Sequence, residues 1–156
     1  MPDVDRRLLL RWVALAVTVA VNTVVMWSDA VAAWWAEQVG GDPDGGSVLP
    51  APVRWLFESR PDLGDAELHA LAWALAAFLA AMAVGRARVR CGLGGAALSV
   101  WAWSVTVEAL QPVVSTSRGF EWVDVAGNTV GVVAGTLVAS WWRGRTRASE
   151  STRRSR

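Results

Sequence analysis

The feature that most constrains this chain is a set of four long apolar stretches, over residues 8–27, 68–85, 93–110 and 122–142. Each approaches the about 20 residues that a helix needs to cross the hydrocarbon of a bilayer. A buried helix of a soluble protein is also apolar all round, but four of them in 156 residues leave too few polar faces to cover a soluble core. At this length one compact membrane unit uses nearly the whole chain. The expectation is an all-α fold: a polytopic membrane protein, a bundle of four transmembrane helices over residues 1–142. Residues 143–156 read as a basic, disordered tail.

Arginine placement orients the bundle. Arg6, Arg7 and Arg11 sit at the start of the first span, and Arg86, Arg88 and Arg90 lie between the second and third. Arg143, Arg145, Arg147, Arg153, Arg154 and Arg156 follow the fourth. Only Arg54, Arg60 and Arg118 fall on the other side. The bias places both termini in the cytoplasm and residues 28–67 in an external loop. Within that loop, Ser28 to Trp35 reads as an extension of the first helix along the membrane surface. Residues 40–52 read as flexible, and Val53 to Phe57 as a contact with the interface. Trp12, Trp27, Trp122, Trp141 and Trp142 sit near span ends, as in an interfacial belt, whereas Trp73, Trp101 and Trp103 fall deeper and read as packing.

A cleaved signal peptide competes for the first span. Arg6 and Arg7 form its basic region, and Ala30-Val31-Ala32 resembles a cleavage site, but the apolar core exceeds the usual ~7–15 residues. The one cysteine, Cys91, excludes an intrachain disulfide and a cysteine-rich metal site.

Against this apolar background, one run is polar. Ser104, Glu108 and Gln111 fall on one face of the third helix, which Pro112 ends near Gln111. Asp124, Asn128, Gly131 and Gly135 fall on one face of the fourth, and Gly127, Gly131 and Gly135 give two small-xxx-small steps for close helix packing. The short connection makes the two helices antiparallel neighbours. At 1.5 Å per residue, Glu108 lies about 6 Å below the external end of its helix and Asn128 about 9 Å below the start of its own, so their depths match. Arg118 in the connection reaches back to either carboxylate, and His69 opens the second helix at the same level, four residues after Asp65. Asn22 lies in the outer half of the first helix.

Each residue has a plainer role. Glu108 and Arg118 can form an ion pair that fixes the loop. Asn128 and Gln111 can bond helix to helix, Asp124 can cap a helix, and His69 can sit at the interface. Their coincidence in one leaflet is what favours a functional cluster of His69, Glu108, Gln111, Arg118, Asp124 and Asn128, because ionisable groups in a membrane are expensive.

The pattern Glu108-x-x-Gln111, Arg118, Asp124-x-x-x-Asn128-x-x-Gly131-x-x-x-Gly135 resembles the VanZ-like family of small bacterial membrane proteins. Asp65-Ala66-Glu67-Leu68-His69 resembles that family's Asp-Lys-x-x-His element, with Ala66 in place of the lysine and therefore one cationic donor fewer. The resemblance covers residues 61–142. It implies a multi-pass protein of the bacterial plasma membrane and an association with glycopeptide, especially teicoplanin, resistance. It supplies no reaction.

Three function classes follow. In the first, the outer-leaflet cluster binds an envelope lipid, a cell-wall precursor or a lipophilic glycopeptide, with Arg118 gripping phosphate or carboxylate. The second is an intramembrane enzyme with Glu108 or Asp124 as base and His69 as acid; it ranks lower because no Ser or Cys stands in an activating context. The third is a transporter of lipid or small solute, which four helices would serve as a homo-oligomer. No cofactor is expected. A metal site from His69, Glu108 and Asp124 is open under the enzyme reading, but one His with two carboxylates is an unusual set for zinc, so no metal is expected either. Nucleic acid is excluded as a partner because the arginines flank spans and do not interleave with stacking aromatics.

Overall fold

Half of the residues from Ala66 to Ala83 are alanine, and this low bulk organises the bundle. The structure, a computed structural model, describes residues 6–31, 33–34, 66–84, 89–116 and 119–154. Its long helices are α1 (Arg6–Trp27), α2 (Ala66–Ala83), α3 (Val89–Val114) and α4 (Trp122–Arg154). No strand occurs among the described residues. Each helix holds a stretch long and apolar enough to cross a membrane: Leu8–Trp27, Ala66–Ala83, Gly92–Val114 and Trp122–Thr146. The fold is an all-α four-helix bundle, read as a multi-pass membrane protein.

Helix α2 is central. Of its span, 44% is buried inside the bundle, against 11% for α1. Alanine is the strongest helix former and brings almost no side-chain volume, so α2 can be approached from several sides. Helix α4 approaches it most closely. A Cβ added at Gly127, Gly131 or Gly135 would meet the backbone carbonyl oxygen of Ala66, Ala70 or Ala74 respectively, at 2.5 Å for the first and closer for the others. The offset is constant and both series rise together, so α2 and α4 run parallel with backbones in contact along two turns. Met26, Trp73, Ala76, Ala77, Val100, Val107 and Val132 form the apolar core. Leu9, Leu10, Val13, Val17 and Val21 of α1 stay exposed, the face that lipid would cover.

Polar side chains pin the other contacts. Asn22 Nδ2 donates to the Ala72 carbonyl at 2.8 Å, tying α1 to α2. Trp27 Nε1 donates to the Val107 carbonyl at 3.1 Å and Trp103 Nε1 to Thr23 Oγ1 at 3.0 Å, tying α1 to α3. At the far end, Arg143 donates to the carbonyls of Ala81 and Val84 at 2.7 and 3.0 Å, and Arg11 to that of Met82 at 3.2 Å. These are the carbonyls that a helix C-terminus leaves unpaired, at the end that favours positive charge.

Two boundaries depart from the sequence reading. Helix α3 does not end at Gln111 but continues through Pro112 to Val114. Pro112 lacks the N–H that would bond to the Glu108 carbonyl, yet this is the last turn, and the Ser115 N–H still reaches the Gln111 carbonyl at 2.9 Å. Helix α4 does not stop at Trp142; residues to Arg154 continue it, where the sequence suggested a disordered tail. That segment holds no proline, and its single glycine, Gly144, does not break the helix. Ser28 separates α1 from residues 29–31 and 33–34, which are helical as expected of a surface extension. The expectations for residues 40–52 and 53–57, for Asp65, Arg86 and Arg88, and for Arg118 lie outside the described residues.

Candidate functional site

Three helices contribute the polar cluster, and the spacing within each decides how. On α2, His69 occupies the first turn and projects from the same side as the fully buried Trp73, one turn on. On α3, Glu108 follows Ser104 by one turn, and both are fully buried. On α4, Asp124 in the first turn and Asn128 in the second share a face with Gly131 and Gly135, so the close α2–α4 contact carries both toward His69.

His69 Nδ1 lies 3.0 Å from Glu108 Oε1 and 3.1 Å from Asn128 Oδ1. Asn128 Nδ2 donates to the same Glu108 oxygen at 3.3 Å, which turns the carboxamide oxygen toward the ring. Nδ1 therefore faces two acceptors, and the tautomer assigned from this network carries a proton there. The other ring nitrogen, Nε2, lies 3.8 Å from Asp124 Oδ2. His69 thus stands between two carboxylates, one on each side of the imidazole. His69, Glu108 and Asn128 are wholly buried, and Asp124 is 3% exposed.

Not every sequence candidate joins them. Gln111 is fully buried but donates from Nε2 to the Met26 carbonyl at 3.1 Å, bonding α3 to α1. Ser104 donates to the Trp101 carbonyl of its own helix at 2.8 Å. Gly127, Gly131 and Gly135 form the α2 contact described above. Arg118 lies outside the described residues. Sequence reasoning missed a second polar contact at this end of the bundle: Ser115 Oγ and Thr116 Oγ1 both donate to the Asp29 carboxylate, the latter at 3.1 Å. The signal was an acid just after the first span and two hydroxyls just after the third.

Two features bear on chemistry. Glu108 Oε2, Gln111 Oε1 and Trp73 Nε1 are buried with no hydrogen-bond partner among the described residues. His69, Glu108 and Asp124 each offer a ligand atom, all within 4.8 Å of one another. The arrangement can hold a cation, pass a proton across the imidazole, or accept hydrogen bonds from a buried donor.

No family model, curated protein or solved structure matches the chain.

Proposed function

We propose that this chain is a VanZ-like protein of the bacterial plasma membrane. Both termini face the cytoplasm, and the His69 end of the bundle lies in the outer leaflet. There the polar cluster binds the head group of an envelope lipid, a cell-wall precursor or a lipophilic glycopeptide. The observation that supports this reading is the meeting of His69, Glu108, Asp124 and Asn128, from three helices, at one buried spot. Packing alone does not require two carboxylates and an imidazole inside an apolar bundle, where each is costly. The N-termini of α2 and α4 lie at the same end, where the helix dipoles favour an anionic head group beside the cluster. Arg118, between Gln111 and Asp124 in the sequence, would add a planar fork for phosphate or carboxylate.

The test is binding of a lipid-linked cell-wall precursor and of teicoplanin to the purified protein in nanodiscs. The wild type binds at least one of them, and Glu108→Gln and Arg118→Ala each weaken it at least tenfold. Wild-type affinity in both variants would refute the reading. Reporter fusions at the two termini check the orientation, and susceptibility of a deletion strain to teicoplanin checks the link to resistance.

A second reading, an intramembrane enzyme acting on an envelope lipid or precursor, draws on one observation. The two ring nitrogens of His69 face different carboxylates, an arrangement suited to accepting a proton on one side and releasing one on the other. Turnover of a lipid precursor by the wild type, lost in Glu108→Gln, would favour it over simple binding.

A further inference from the structure

We infer that the buried cluster is a binding site for one divalent first-row metal ion, held by a ring nitrogen of His69 and a carboxylate oxygen each from Glu108 and Asp124. The sequence pointed the other way, because one histidine with two acids is an uncommon zinc set. Placement in the fold changes that reading.

Charge is the first argument. Glu108 and His69 are wholly buried and Asp124 nearly so, and carboxylates in an apolar interior favour a cation among them. One divalent cation with two carboxylates and a neutral imidazole sums to zero.

Geometry is the second. Metal–ligand bonds to nitrogen and oxygen run about 2.0–2.2 Å, so ligand atoms around one tetrahedral ion lie about 3.4 Å apart. The three ligand atoms already lie within 4.8 Å of one another, so closing them on an ion shortens the longest separation by roughly 1.4 Å.

The third argument is independent of charge and spacing. Glu108 Oε2 is buried with no partner among the described residues, while Oε1 of the same carboxylate is held by Asn128. A buried carboxylate oxygen without a donor is what a ligand in waiting looks like. One imidazole with oxygen donors and no thiolate suits Mn²⁺, Fe²⁺ or Zn²⁺ and disfavours Cu⁺.

The inference uses the same residues as the proposed head-group site and deepens that reading, since a bound metal would itself attract phosphate or carboxylate. The two are separable by experiment. Tag-free protein in nanodiscs is stripped with chelator and loaded with Mn²⁺ or Zn²⁺ alone, and bound metal is counted by mass spectrometry after desalting. We expect about one ion per chain for at least one metal, falling at least tenfold in affinity in Glu108→Gln and Asp124→Asn. His69 is the single histidine of the chain, so imidazole coordination in the X-ray absorption spectrum of the wild type would identify the site even if a variant failed to fold. Less than about 0.1 ion per chain with both metals, or a bound ion lacking imidazole, would overturn the inference. Precursor or glycopeptide binding that persists in stripped protein would leave the head-group reading standing while the metal site fell.

Discussion

The imidazole of His69 on α2 and the carboxylate of Glu108 on α3 lie 3.0 Å apart, and neither has any exposure. Removing one partner of such a buried pair typically costs about 3–5 kcal/mol. His69→Ala is therefore expected to destabilise the bundle by about that amount, and Glu108→Gln by less, because a carboxamide can still bond the ring. The double variant is expected to be less unstable than the sum of the two, by about 1–3 kcal/mol. Equilibrium unfolding in mixed detergent micelles measures all three, and strict additivity would show that the contact does not couple the helices.

Much of this arrangement was legible because it rests on periodicity. The helices followed from four apolar lengths. The shared depth of Glu108 and Asn128 followed from the rise per residue, and the 3.3 Å bond between them places them at one level. What stayed hidden depended on partners distant in sequence. Asn22 was visible as a polar residue in an apolar helix, but not its acceptor, the Ala72 carbonyl. Arg143 was counted as a topology signal, and nothing in the sequence pointed it at the end of α2. Pro112 was read as a stop, although a proline in the last turn removes a single hydrogen bond.

Glycine contact with a backbone sets the second expectation. A methyl group at Gly135 would collide with the Ala74 carbonyl, and neither backbone can move without separating α2 from α4. Gly135→Ala is expected to destabilise by about 1–3 kcal/mol, and Gly131→Ala similarly. A Cβ added at Gly144, in the same helix, would meet no neighbouring helix or side chain within 4 Å, so Gly144→Ala is expected to be neutral or to stabilise by up to about 1 kcal/mol through helix propensity. Thermal unfolding of the three variants side by side separates packing from propensity.

Arg143 provides the third. Its guanidinium donates to two carbonyls at the end of α2. Charge-assisted bonds of this kind contribute about 1.5–3 kcal/mol. Arg143→Ala is expected to lose stability in that range and to speed hydrogen exchange in the last turn of α2. Arg145, exposed and stacked 4.0 Å over Trp141, is the control. Its replacement by Ala is expected to leave exchange in α2 unchanged, which distinguishes capping from the loss of a positive charge.

Asn128 gives the sharpest test, because a change of one atom type reverses its role. Its Nδ2 donates to Glu108 Oε1, while Oδ1 accepts from His69. Asn128→Asp keeps the shape and replaces the donor with a second acceptor, setting two carboxylates against each other where water cannot reach. In metal-free protein the expected cost is about 3–5 kcal/mol, the scale for a buried charge without compensation. Added Mn²⁺ or Zn²⁺ would be expected to restore more of that loss than it adds to the wild type, since a third carboxylate strengthens any cation site built on His69, Glu108 and Asp124. Unfolding curves of Asn128→Asp with and without metal test both steps. A variant as stable as the wild type without metal would show that Asn128 does not hold the Glu108 carboxylate in place.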